Sequence, residues 1–256
     1  MLRNIIYNTN PKVIHCPQCD LGDLFLEKFI CDLHKSKLTA CVPDDLAIIS
    51  WDNKSHETVL KRSLGIFGIE ATFLGSGIDW TSNELKIDLT NDFLKSNKKK
   101  YVLGLDSYDA ILFGSPDKLL SDFRSMSSEL VFNATLGSYP SIDKLTNFEQ
   151  NLPSGRSVWR HLNAGVWIGV AEYCKYFFES LRSYKDESQQ MAAQYVGSEQ
   201  LLVRMALEKE YPFVDIDHQC KMFQVVRESE CYPEELKINR GLEINGKKFK
   251  EAVWFL

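Results

Sequence analysis

Apolar positions along this chain alternate between short hydrophobic runs and helical stripes. Leu46-Ala-Ile-Ile-Ser-Trp51 reads as a strand, and Asp52-Asn53 closes it with turn chemistry. Val59, Leu60, Leu64 and Phe67 then line one face of a helix that ends at Gly68. Ala71-Thr-Phe-Leu74 is the next strand, running into Gly75-Ser-Gly77 and Trp80. Strand, helix and strand at this spacing form a βαβ unit, which implies parallel pairing. A second helix is expected over Leu89–Leu94, with Lys98-Lys-Lys100 as its solvated end.

The run Tyr101-Val-Leu-Gly-Leu-Asp106-Ser-Tyr-Asp109-Ala-Ile-Leu-Phe113 interrupts apolar strand with two aspartates. A parallel strand buried on both faces is continuously hydrophobic, so charge marks where it emerges. Asp106 and Asp109 therefore sit at the carboxyl end of a buried strand, where open α/β sheets place ligands. Two carboxylates three residues apart can share one hard divalent cation, which can bridge a phosphate. An acidic turn between two strands is the other reading.

Further on, Pro116–Phe123 patterns as a short helix and Leu130-Val-Phe-Asn-Ala134 as a strand. Residues 135–160, with Gly137, Pro140, Pro153 and Gly155, form the longest loop-rich region, the kind that serves as a lid or binding loop. His161–Gly169 is a strand entered through a polar turn, and Tyr173, Tyr176, Phe177 and Leu181 mark a helix. Ser198 is placed to cap another helix that turns Leu202, Met205 and Ala206 inward. Phe213–Ile216 precedes Asp217-His218, residues 227–250 are weakly patterned, and Ala252–Leu256 is a terminal strand candidate. Without repeats or a clear linker, the expectation is one α/β domain over residues 1–256.

Residues 1–20 read as irregular, apart from a short apolar piece ending at His15. Cys16, Cys19, Cys31 and His34 have the spacing of a zinc site. Against this, Leu26, Phe29, Ile30 and Leu33 share one helix face and put Cys31 inside an amphipathic helix, which favours buried thiols.

Composition adds a few exclusions. A net charge of −5 argues against nucleic acid as a partner. Seven cysteines, an odd number, favour reduced thiols over a disulfide framework. No apolar run approaches membrane-spanning length, and the amino terminus has no signal-type apolar core. The expected location is cytoplasmic, in a bacterial or viral setting.

Five landmarks stand in one order. They are Leu105-Asp106-Ser-Tyr108-Asp109-Ala-Ile-Leu-Phe-Gly-Ser-Pro116, Phe132-Asn-Ala134 with Pro140 beyond, and Leu162-Asn163-Ala-Gly165-Val-Trp-Ile-Gly169, followed by Ser198-Glu199-Gln-Leu-Leu202 and Asp215–Gln224. Together they resemble the glycosyltransferase domain of the procollagen lysyl hydroxylases and related collagen-type glycosyltransferases, over roughly residues 46–226. That resemblance implies an A-type glycosyltransferase fold, a mixed, largely parallel sheet with a Rossmann-like nucleotide-binding half. It implies a UDP-sugar donor, a Mn²⁺ or Mg²⁺ cofactor, and hexose transfer to a hydroxyl on a protein or glycan acceptor.

Carried onto this chain, the resemblance gives Asp106 and Asp109 the cation that steadies the departing diphosphate. Tyr108 packs near the uridine, Trp80 lies at the sugar-nucleotide site, and the Asn163-Ala-Gly165 turn stands beside the donor sugar. Ser50 joins Trp80, Tyr108, Asp106 and Gly165 in the expected donor-binding set. A core tyrosine, a plain glycine turn and an asparagine bracing its own turn are the structural readings of these residues. Glu199 and Asn163 are the expected catalytic pair. A carboxylate at 199 can bind an acceptor hydroxyl or act as base, and at a helix start it is also favourable dipole charge. Tyr139 stands where the family has a loop tryptophan.

The family's third metal ligand is a histidine near the end of its domain, which here would fall just beyond Leu256. His218 ranks second for that role, with a structural histidine as its other reading. Asn4-Ile-Ile-Tyr7-Asn-Thr9-Asn-Pro11-Lys-Val-Ile-His15 resembles the run that precedes the family's ligand, except that Cys16-Pro-Gln follows His15. The expectation is a circular permutation in which residues 1–45 stand for the family's C-terminal segment and His15 enters the metal site. A catalytically inactive domain that keeps the fold for binding or assembly is the alternative.

Overall fold

Two short strands, β1 (Leu2–Asn4) and β2 (Val13–His15), come first in the chain. They are followed by β3 (Leu46–Trp51), α1 (Val59–Phe67), β4 (Thr72–Leu74), α2 (Leu85–Ser96), β5 (Tyr101–Asp106) and β6 (Ala110–Leu112). Then come α3 (Pro116–Arg124), β7 (Leu130–Thr135), α4 (Asp143–Asn151), β8 (His161–Val170), α5 (Ala171–Ser180) and α6 (Lys185–Met191). The last elements are α7 (Glu199–Glu210), β9 (Val214–Ile216), β10 (Phe223–Val225), β11 (Leu242–Ile244) and β12 (Lys247–Lys248). The structure is a computed structural model and describes residues 2–4, 7–17, 30–31, 33–34, 40–54, 56–153, 157–226, 242–244 and 247–248.

The central sheet has the order β4-β3-β5-β8-β7-β9. β4, β3 and β5 are parallel, β8 runs against both β5 and β7, and β9 is parallel to β7. This is a mixed α/β sheet of the A-type glycosyltransferase kind. The first βαβ unit is delimited by its caps. Thr58 accepts from the Lys61 amide at 3.3 Å, and Gly68 closes α1 in the left-handed region at φ 64°.

Both faces of the sheet are covered. Trp51, Phe132, Trp167 and Phe177 pack with α7 side chains such as Leu202 and Met205 on one face. Leu60 and Leu64 of α1 join Leu119 and Phe123 of α3 on the other. Each fully buried Leu, Ile or Phe in such layers contributes about 1.5–3 kcal/mol. Gly104 belongs to this packing, because a Cβ there would lie 2.4 Å from Trp167 Cε2.

A second sheet, β10-β2-β6, sits beside the exit of β5. β2 is parallel to β10 and antiparallel to β6, so His15 pairs with Val225 on one side and Ala110 on the other. β1 pairs with β11, and β11 with β12. No helix among the described residues is long and apolar enough to cross a membrane.

Three expectations shift. β1 and β2 occupy a stretch that reads as irregular, because three-residue strands form only through their partners. α2 begins at Leu85 rather than Leu89, since its inward face is half polar (Ile87, Thr90, Asn91, Leu94). The loop-rich region contains α4, whose buried residues are Leu145 and Glu149, so it carries no apolar stripe. Ala252–Leu256 lies outside the described residues.

Candidate functional site

Asp106 ends β5, and Asp109 directly precedes β6. Because β2 is laid along β6, the Cys16 amide donates to the Asp109 carbonyl at 2.8 Å, and the preceding His15 side chain turns toward both aspartates. His15 Nε2 lies 3.3 Å from Asp109 Oδ1 and 3.6 Å from Asp106 Oδ2. One ligand atom from each residue falls within 4.8 Å of the others, the only such trio of metal-ligating side chains among the described residues.

The donor set fits a divalent cation. His15 Nε2 and Asp109 Oδ1 are both buried, face each other at 3.3 Å, and neither hydrogen-bonds to any group outside the trio. One imidazole nitrogen and two carboxylate oxygens converging on a point suit a divalent metal cation. Gly165 forms the floor of the cradle. A Cβ there would lie 2.4 Å from both Asp106 Oδ2 and His15 Cε1, so the side chains of the site fill the space a larger residue would need.

Charges are balanced tightly around the trio. Lys86 Nζ is 2.6 Å from Asp106 Oδ1 and 3.1 Å from Glu199 Oε1, with the Trp51 ring centroid 5.5 Å away. Burial opposes its charge, but the two carboxylates outweigh that and hold its pKa well above the ordinary lysine value. Burial alone would raise Asp106, yet Lys86 and His15 bring it down to about 2. Burial alone would lower His15, yet Asp109 and Asp106 lift it to about 9. Without a cation, the imidazole takes a proton in its stead.

Two cavities meet at this point. The first, about 520 Å³, is lined by Trp51, Asn53, Lys54, Trp80 and Tyr108 as well as Lys86 and the aspartates. Tyr108 donates to Asp52 Oδ1 at 2.7 Å, and Trp80 Nε1 donates to Asn83 Oδ1 at 3.1 Å. Burial and the Asp52 carboxylate push the Tyr108 hydroxyl up to about 12, so it stays protonated. The second cavity, about 180 Å³, is lined by His15, Tyr139, Asn163, Gly165, Ser198, Glu199 and Gln200, and shares Asn83, Lys86, Asp106 and Asp109 with the first.

Within the second cavity, Asn163 Oδ1 accepts from the Gly165 amide at 3.1 Å, bracing its own turn. Gln200 grips the same turn, accepting from the Ala164 amide at 2.7 Å and donating to the Leu162 carbonyl at 2.6 Å. Ser198 caps α7, with its hydroxyl accepting from the Leu201 amide at 3.3 Å.

The expected residues thus divide into groups. His15, Asp106, Asp109 and Gly165 come together. Trp80 and Tyr108 line the first cavity, and Asn163, Glu199 and Tyr139 the second. Ser50 lines neither. It is fully buried in β3, and strand alternation points it away from the face on which neighbouring Trp51 reaches the cleft. His218 is elsewhere, its Nδ1 2.7 Å from the Trp159 carbonyl. Of the zinc-like set, Cys16 is buried and Cys31 exposed, while Cys19 lies outside the described residues.

Lys86 and Gln200 escape sequence reasoning. Lys86 lies in the first turn of α2, ahead of the expected helix start. Gln200 follows Glu199 in a motif where the acid draws notice first.

An acid pair at the exit of a central strand, on a mixed sheet with a cleft at that edge, is the arrangement of the A-type glycosyltransferase fold. The sequence profile of the PLOD GT domain matches residues 46–245, and the chain belongs to that family. Among curated proteins it is 26% identical over 206 residues to procollagen-lysine,2-oxoglutarate 5-dioxygenase 1 of Bos taurus, covering 75% of this chain and 27% of that protein. It is 25% identical over 198 residues to the multifunctional procollagen lysine hydroxylase and glycosyltransferase LH3 of Homo sapiens, covering 71% and 25%. The chain therefore spans about a quarter of the length of the curated relatives it matches.

Proposed function

We propose that this domain transfers a hexose from a UDP-sugar to a hydroxyl acceptor, protein or glycan, with Mn²⁺ or Mg²⁺ held by His15, Asp106 and Asp109. The observation that carries the reading is the convergence of His15 Nε2, Asp109 Oδ1 and an Asp106 carboxylate oxygen within 4.8 Å, with no hydrogen bond from His15 Nε2 or Asp109 Oδ1 to any other group, where the two cavities meet. A nucleoside in the larger cavity brings its diphosphate past the aspartates and its sugar toward Asn163 and Glu199. A bound cation supplies charge stabilisation to the departing diphosphate. Lys86, kept protonated by its neighbours, adds a fixed positive charge on the same path. Glu199 is the carboxylate placed to meet the acceptor hydroxyl.

The amino-terminal segment fits the same proposal. Residues 1–45 lie outside the matched region, yet β2 supplies His15 through its pairing with β6 and β10. We infer that this segment contributes the histidine that completes the acid pair.

Donor hydrolysis tests the activity. UDP-glucose, UDP-galactose and UDP-N-acetyl sugars are each incubated with the protein and Mn²⁺ or a chelator, and released UDP is measured. Metal-dependent release from one donor is expected. No release from any donor, with UDP still bound, would instead favour a non-catalytic domain.

A further inference from the structure

The bulge that shapes the second cavity also turns a buried amide toward His15. Pairing between β7 and β8 jumps from Phe132 with Trp167 to Asn133 with Asn163. Asn133 sits at that jump, fully buried, with its amide nitrogen 3.4 Å from His15 Nδ1 and its Oδ1 without a partner. An asparagine can meet a ring nitrogen with either end of its amide. If Nδ2 faces the ring and donates to Nδ1, a neutral imidazole carries its proton on Nε2, pointing at Asp106 and Asp109. If Oδ1 faces the ring, it accepts from Nδ1–H and the Nε2 lone pair faces the carboxylates. Only the second arrangement leaves a ligand nitrogen, and the half-turn that produces it breaks no bond at Oδ1.

We propose that Asn133 is a positioning residue for the metal centre, holding His15 as the Nδ1–H tautomer with Nε2 free to coordinate. This rests on the metal-binding role proposed above for His15, Asp106 and Asp109. The imidazole is held from two sides: glycine at position 165 leaves room for the ring, and Asn133, at the register jump, places an amide behind it.

Titration of the full chain with Mn²⁺ alone, followed by the loss of the free-ion electron paramagnetic resonance signal, provides the test. Asn133→Ala weakens binding about 10- to 100-fold, the usual effect of removing such an outer partner. Asn133→Asp, whose carboxylate also accepts from Nδ1–H, recovers most of that loss, which a purely packing role for Asn133 does not produce. In wild type loaded with diamagnetic Mg²⁺, ring-nitrogen NMR finds the His15 proton on Nδ1. Alanine binding as tightly as wild type, aspartate doing no better than alanine, or a proton on Nε2 in the loaded protein overturns the proposal. If Asn133→Ala fails to fold, the NMR reading and Asn133→Asp still decide it. A wild type that binds no Mn²⁺ overturns the metal site itself, a separate failure.

Discussion

His15 Nε2 lies 3.3 Å from Asp109 Oδ1 because β2 runs antiparallel to β6, the strand that starts one residue after Asp109. Local sequence does nothing to bring the two together. A three-residue strand at one end of the chain carries an imidazole to a turn in its middle, and the contact exists only when the small sheet has formed.

The pH dependence of stability follows from that contact. His15 has a folded pKa of about 9 against about 6.5 unfolded, so the fold favours its protonated form. The stabilisation is complete below pH 6.5 and is lost as pH rises through about 9. Metal-free protein should therefore melt at progressively lower temperature between those values. Saturating Mn²⁺ should flatten or reverse the trend, because the ion displaces the same proton. Thermal melts across that window, with and without Mn²⁺, check it.

Lys86→Met should split two properties that usually move together. The ammonium at 2.6 Å from Asp106 repels an incoming cation, so its removal strengthens Mn²⁺ binding in the absence of nucleotide. The same removal weakens UDP binding and slows donor hydrolysis by about tenfold or more, through the lost positive charge beside the diphosphate. Parallel titrations with Mn²⁺ alone and with UDP plus Mn²⁺ measure both. A fall in both affinities would count against this role.

Gly165→Ala tests the cradle. A Cβ 2.4 Å from Asp106 Oδ2 and His15 Cε1 forces the ligands apart, and overpacking of this kind costs about 1–3 kcal/mol. Mn²⁺ affinity should drop more than about tenfold while far-ultraviolet circular dichroism is retained.

Away from the metal, a buried network braces the second cavity. Arg204 donates to Glu149 at 2.6 and 2.9 Å, to Ser138 Oγ at 2.9 Å, and to the Pro140 carbonyl, so it holds the chain on both sides of Tyr139. His161 Nδ1 meets Glu149 at 2.7 Å. Arg204→Met leaves Glu149 buried without its cation, and breaking such a pair costs about 3–5 kcal/mol. The melting temperature should fall by on the order of 10 °C.

How much of this was legible depended on which interactions shape each residue. β3, α1 and β5 are built from local apolar patterning, and the βαβ unit could be read directly. Asp106 and Asp109 stood out because charge interrupts a buried strand. His15 was reached only through likeness to a family, since β2 has no pattern of its own. Lys86 and α4 were hidden for a shared reason: their helices bury polar side chains (Thr90 and Asn91, Glu149), so the apolar stripe that betrays a helix is missing. Ser50 reads as a polar residue at a strand end, and only the alternation of β3 shows that it faces away from the cleft.

A cation held by His15, Asp106 and Asp109 would tie the binding of a nucleoside diphosphate to the metal. Isothermal titration of UDP into the full chain, with and without Mn²⁺ and repeated on the double variant Asp106→Ala/Asp109→Ala, tests it most directly. UDP should bind wild type at least about tenfold more tightly with Mn²⁺ than without, and the double variant should lose that difference. Equal UDP affinity with and without Mn²⁺ in wild type, or a metal effect that survives in the double variant, would contradict a cation held at Asp106 and Asp109.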